Sequence, residues 1–199
     1  MTLRLASPAK AGLELMAEIV VIGGGSSMEF GKPDYGVPKL AVNSHAWKRG
    51  VATDYVVAMD SPRHMPDGLL NDPAICKVML SKFSPLLKDY PNVKLFEPEA
   101  NFDRIQWQVP IPGSADGGYQ LVSKTCTLLA AVRVAVFLGC KQMYFAGCDM
   151  EGEAYGLARR KMLEHGPRLS KEGIDFYSLD PGNKVEAFTY KLLPIKEAA

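Results

Sequence analysis

The chain has 199 residues, 47% of them hydrophobic and 23% charged, with 23 Lys and Arg against 22 Asp and Glu. A chain of this length buries roughly 70% of its unfolded surface and needs no disulfide or metal staple, which excludes a disordered segment and a mini-protein. The formal net charge of +1 is not that of a protein built to neutralise phosphate backbones, so nucleic acid is not the expected partner.

Residues 1–17 read as an N-terminal extension. Arg4, Lys10 and Glu14 are mixed with alanines, and no apolar run long enough for a secretory signal follows them. Glu18-Ile-Val-Val-Ile22 is a β-branched run that ends in Gly23-Gly24-Gly25-Ser26-Ser27, which reads as a buried parallel strand entering a turn. Strands are expected next at Lys39–Asn43 and Thr53–Asp60, then at Ile75–Leu80 and Val93–Phe96, the last two separated by a helix at Pro85–Tyr90. After the Pro/Gly-rich stretch 108–118, apolar residues recur on nearly every face from Leu121 to Phe137, as in a helix buried against a sheet, and Gly139 is a natural stop. A strand at Gln142–Ala146 runs into Gly147-Cys148-Asp149. A polar helix from Ala154 to Glu164 is expected to end near Gly166-Pro167, and a last strand spans Ile174–Leu179.

Strands alternating with helices through short turns predict an α/β fold, a Rossmann-like doubly wound and mainly parallel sheet with helices on both faces. One domain over 18–190 and a tail over 191–199 are expected. The longest apolar stretch, Leu128–Leu138, is interrupted by Arg133 and is short of the roughly 20 residues that span a bilayer. A soluble cytoplasmic protein is expected, compatible with a homo-oligomer. Cys76, Cys126, Cys140 and Cys148 form no CxxC pair and read as buried free thiols. His45, His64 and His165 are scattered, so no structural metal is expected.

In a sheet of this kind the ligand lies beyond the carboxyl ends of the strands. The polar residues there are Ser26 and Ser27, Asn43 and Ser44, Asp60 and Ser61, and Asp149. The Gly23–Ser27 turn is a candidate phosphate cradle, since glycines let backbone N–H groups approach an anion and a following helix adds its dipole. It is not a dinucleotide fingerprint: Met28 stands where a third glycine is needed, and no acid follows the second strand. It is not a Walker motif either, as no Gly-Lys-Ser/Thr follows.

The stretch IVVIGGGSSMEF resembles the opening strand and Gly-x-Gly-Pro-Ser loop of the sialyltransferase-like glycosyltransferases, and of the related domain in archaeal pterin diphosphokinases. Two further blocks agree in order. The helix with LGCKQMYFAGCD resembles the family's helix, buried strand and Gly-x-Asp ending. IDFYSLDPGN resembles the late strand and turn that close the nucleotide site. The match spans roughly residues 18 to 183, with two departures. Ser26 replaces the family's proline, and the segment between Asp149 and Ile174 is shorter than the lid that carries a base in the bacterial enzymes.

The resemblance implies that Gly23, Gly25, Ser26 and Ser27 hold the phosphate and that Asn43 meets the ribose or phosphate. It places Thr125 and Thr127 at a helix start that could also reach a phosphate, although hydroxyls there are ordinary caps as well. Asp60 and Asp149 would orient a sugar hydroxyl or, in the diphosphokinase branch, hold magnesium. His165 lies where a lid base is sought, and His64 is a second histidine near a strand end. Tyr155 and Tyr177 could meet a leaving phosphate or simply pack. Arg159 and Arg160, in the ARRK run, read as a solvated face. Three functions are thereby implied: a nucleotide-sugar-dependent glycosyltransferase with a CMP-linked donor and no cofactor, an ATP- and magnesium-dependent diphosphokinase, and a non-catalytic nucleotide-binding module of phage or prophage type.

Overall fold

A computed structural model describes residues 16–98, 109–110, 119–121, 127–150 and 156–196. At its centre lie two of the expected strands, β1 (Glu18–Ile22) and β8 (Gln142–Ala146), parallel with Glu18 opposite Gln142 and Ile22 opposite Ala146. From β1 the chain steps outward through β2 (Lys39–Val42), β3 (Tyr55–Ala58), β4 (Cys76–Leu80) and β5 (Val93–Pro98), each parallel to the one before. The two short strands β6 (Val109–Pro110) and β7 (Tyr119–Leu121) complete that side, with β7 parallel to β5 and β6 antiparallel to β7. Helix α4 (Thr127–Phe137) then returns the chain to β8, after which β9 (Asp175–Ser178) and β10 (Thr189–Tyr190) are added on the other side. The order is β10-β9-β8-β1-β2-β3-β4-β5-β7-β6.

Successive residues of a strand face opposite sides, and both sides here are apolar. Ile19, Val21, Leu40, Val57, Met143 and Phe145 face α4 and α5 (Gly156–Lys171). Val20, Ile22, Ala41, Val56, Ala58 and Tyr144 face the opposite layer, to which the short helices α1 (His45–Lys48), α2 (Asp67–Asn71) and α3 (Ser84–Leu87) give Ala46, Leu69, Leu70 and Leu87. The fold is an α/β doubly wound sheet, as expected. No described helix is long and apolar enough to cross a membrane.

Three helix boundaries differ from expectation. The helix read from Leu121 is described only from Thr127, and Leu121 itself is the last residue of β7, opposite Pro98. Apolar residues on nearly every face do not separate strand from helix by periodicity, and pairing with β5 decides it. Helix α5 passes through Pro167 to Lys171 instead of stopping at Gly166-Pro167. Met162, Gly166 and Leu169 form its buried stripe, and that packing outweighs the hydrogen bond a proline removes. The third helix is also shorter than expected, ending at Leu87.

Cys76, Cys140 and Cys148 are buried thiols outside any disulfide, and Cys126 lies outside the described residues. Burial pushes the thiols of Cys76 and Cys140 up to about 11 and about 12, so neither is a reactive thiolate.

Lys77, in the middle layer of β4, is fully buried and donates from Nζ to the Asp72 carbonyl at 2.6 Å. Burial lowers its pKa from 10.5, so the folded state holds this proton less firmly than the unfolded chain. The cost of the buried charge is complete at neutral pH and is relieved as pH rises toward 10.5. Lys77→Met is therefore expected to raise stability by about 1 kcal/mol at neutral pH. In urea titrations that advantage should shrink as pH is raised. An advantage independent of pH, or a loss, would assign the ammonium a net stabilising role.

Candidate functional site at the chain crossover

Chain direction reverses about β1: the first half of the protein is added on the β2 side and the second half on the β8 side. Neighbouring strand ends there feed connections that leave in opposite directions, which opens a crevice beyond the sheet. The turn after β1 and the turn after β8 are stitched together at this point. The Gly23 N–H donates to the Ala146 carbonyl at 2.8 Å, and the Gly25 N–H to the Gly147 carbonyl at 2.8 Å.

Glycine is required by this close approach. A β-carbon at Gly23 would run into the Gly147 carbonyl, and one at Gly25 into the Asp149 carboxylate. Gly147 has φ +64, and a side chain there would lie 2.9 Å from the β-carbon of Met28.

Asp149 turns its carboxylate back into the β1 turn. Ser26 Oγ donates to Oδ2 at 3.0 Å, Ser27 Oγ donates to Oδ1, and the Ser27 N–H makes a longer contact with Oδ2 at 3.4 Å. Ser27 Oγ in turn accepts from the Gly147 N–H at 2.9 Å. Ser27 is buried and Asp149 half-buried, so one oxygen-rich knot joins the ends of β1 and β8. Hydrogen bonds to a charged acceptor are the strong ones, roughly 1.5–3 kcal/mol each.

The expected phosphate cradle is thus occupied by the protein's own carboxylate. The turn leads into a six-residue 3-10 helix, Ser26–Gly31, rather than a long α-helix. So short an element supplies little of the dipole expected at this position.

Asn43 stands at the end of the neighbouring strand. It takes the left-handed conformation with φ 61, which ends β2 one residue earlier than expected, and its N–H donates to the Val57 carbonyl at 2.9 Å. Asparagine tolerates this conformation better than most residues. Its Oδ1 is buried with no hydrogen-bond partner among the described residues. A buried acceptor left unpaired costs about 1–3 kcal/mol, so the position is poised for a donor from a ligand or water.

The other candidates are more dispersed. Asp60 is exposed beyond β3. Strands β1 and β2 separate β3 from β8, so the ends of β3 and β8 are roughly 14 Å apart at about 4.8 Å per strand. Asp60 and Asp149 therefore do not form a pair on one small ion. Among the described residues no group of three or more His, Cys, Asp or Glu is set to hold a metal. Thr127 is half-buried at the first described residue of α4, and Thr125 lies outside the described residues, as does Tyr155.

His165 lies on α5, nine residues beyond its first residue Gly156, or about 14 Å along the axis at 1.5 Å per residue. The helix leads back toward the start of β9, so its backbone carries residue 165 away from the crevice. His64 closes a 3-10 turn after β3. Tyr177 packs on Tyr144, with ring centroids 5.3 Å apart, and lies under the Lys191 ammonium at 4.2 Å. It belongs to the sheet's packing. Arg159 and Arg160 are exposed on α5, as expected.

Sequence reasoning missed His45. As the first residue of α1 it rests its imidazole on the β1 turn, where a β-carbon at Gly24 would lie 2.9 Å from His45 Cγ. The available signal was its place, three residues after the end of β2.

No family model matches the chain, and no curated protein does. Two solved structures are similar. The sialyltransferase CstII from Campylobacter jejuni in complex with cytidine-5'-monophosphate superposes with a TM-score of 0.52 at 14% identity, over 90% of this chain and 86% of that one. The same enzyme in complex with CMP-3FNeuAc gives a TM-score of 0.47 at 13% identity, over 90% of this chain and 87% of that one. With this topology and near-complete coverage of both chains, the protein has a sialyltransferase-like fold.

Proposed function

We propose that the protein is a nucleotide-sugar-dependent glycosyltransferase that binds a cytidine nucleotide donor at the chain crossover and passes its sugar to an acceptor hydroxyl. The observation that carries this reading is the knot of Asp149, Ser26 and Ser27 beside the unpaired Asn43 Oδ1, in a sheet folded like a sialyltransferase crystallised with cytidine-5'-monophosphate.

A carboxylate fixed by two hydroxyls is a hydroxyl acceptor, suited to a ribose or sugar O–H. A phosphate must instead displace Asp149 from the turn or lie beside it, toward Asn43. Asn43 Oδ1, an acceptor with no partner among the described residues, suits a ribose or base donor of the nucleotide, and the Nδ2 group of the same side chain would meet the charge that develops on the departing phosphate. The diphosphokinase reading gains less support, because its two metal carboxylates, Asp60 and Asp149, stand three strand spacings apart.

A thermal-shift panel of CMP, CDP, UDP, GDP, ATP and NAD, each with and without magnesium, tests the reading, since a ligand that binds only the folded state raises the melting temperature. CMP is expected to raise it without metal. Asn43→Ala should weaken CMP binding about tenfold, the loss of one well-placed hydrogen bond. A shift that requires ATP and magnesium together would replace the reading with the diphosphokinase. Silence across the panel would leave a module without nucleotide chemistry.

A further inference from the structure

We infer that His45 is the base that takes the proton of the acceptor hydroxyl, an assignment that rests on the transfer reading above. The local chain fixes it there. Asn43, at φ 61, turns the backbone out of β2, and Ser44 and Ala46 are buried against the sheet. The Lys48 N–H donates to the Ser44 carbonyl at 3.0 Å and the Val51 N–H to the Ala46 carbonyl at 3.0 Å, which holds α1 to its single turn. His45, between two anchored residues, is left exposed with its ring over Gly24.

The ring sits at the crevice and not merely near it. A β-carbon at Gly24 would lie 2.9, 3.0 and 3.2 Å from His45 Cγ, Cδ2 and Cβ, while one at Gly25, the next residue, would run into the Asp149 carboxylate. Gly24 and Gly25 are consecutive, so imidazole and carboxylate lie against adjacent residues of one turn. Among the described residues the imidazole has no hydrogen bond or ion pair. Neither of the other histidines competes. His64 follows β3 on the far side of β2, and residue 165 is carried away along α5.

The step balances without a co-reactant. As the acceptor oxygen bonds to the anomeric carbon, its proton passes to a ring nitrogen of neutral His45. The bond from that carbon to the phosphate oxygen breaks, and its electron pair leaves on the nucleotide monophosphate. The imidazolium then returns its proton to solvent.

The test measures CMP release from a CMP-linked sugar with a panel of mono- and disaccharide acceptors. His45→Ala is expected to lower kcat about 100-fold or more, the usual span of a general base, while the KM for the donor stays within about threefold. Added imidazole should restore at least about tenfold of the lost rate, a rescue that a merely structural residue would not show. Gly24→Ala gives an independent variant, because its methyl would lie 2.9 Å from Cγ and 3.2 Å from Cβ of His45 and so displaces the ring. It should lower kcat about tenfold while the variant stays folded by circular dichroism. An active wild type whose His45→Ala variant keeps kcat within threefold overturns the base and leaves the transferase standing. A variant that loses CMP binding and is not rescued by imidazole also overturns the base. A wild type inert with every donor overturns the transfer reading and the base together.

Discussion

Phe145→Ala is expected to lower the unfolding free energy by about 3–5 kcal/mol, the range for emptying a large aromatic site in a packed core. Phe145 is 1% exposed in β8. Its ring stacks on Phe188 at 4.2 Å between centroids and 6° between planes, and meets Phe176 of β9 edge-on at 5.8 Å. Phe176 and Phe188 are themselves 6.5 Å apart in an edge arrangement. One ring therefore joins the sheet centre to the segment after β9, and offset and edge-on pairs add roughly 0.5–1.5 kcal/mol to the area they bury. Guanidinium titration followed by circular dichroism checks the result. A loss below about 1 kcal/mol would mean that the segment around Phe188 closes over the cavity.

Gly25→Val is expected to reduce CMP affinity at least 30-fold while the protein stays folded. The new branched side chain claims the space of the Asp149 carboxylate, and its β-carbon would also lie 3.0 Å from the Gly147 carbonyl. Asp149 must leave the turn, away from the position in which Ser26 and Ser27 hold it, and can no longer accept a ribose or sugar hydroxyl. A hydrogen bond from the ligand to a carboxylate is worth about 1.5–3 kcal/mol, and every 1.4 kcal/mol is about tenfold in affinity. Isothermal titration of CMP, with the far-ultraviolet spectrum as a control for folding, decides it. Unchanged affinity would move the ligand away from the crossover.

Much of the sheet was legible because its central strands advertise themselves twice. Ile19–Ile22 and Met143–Ala146 are short apolar runs that stop at glycines, and the expected bounds of β1 and β8 are those found. The strands at the rims were not legible. β10 is two exposed residues, with no alternation to read, and β6 is two residues within a Pro/Gly-rich stretch. The glycines and polar residues of the crevice could be named from the ends of strands, but not which would meet. Nothing local says that β8 lies beside β1, and that adjacency alone brings Asp149 onto Ser26 and Ser27. The same limit hid the occupied cradle. It also hid His45, whose four-residue helix is too short to show a period and whose contact with Gly24 exists only after β2 has docked on β1.

The crossover also sets a timetable for synthesis. β1 emerges early and can pair with β2 as soon as Leu40 meets Val21, but its other edge waits for Gln142–Ala146. At translation speeds of about 5–20 residues per second, that edge stays open for roughly 6–25 s on each nascent chain. During that time Ile19–Ile22, buried on both faces in the finished sheet, presents an apolar strand with one free ladder, the template on which unwanted pairing starts. A ribosome pausing between β5 and β8 would lengthen the exposure, whereas a pause after β8 would not.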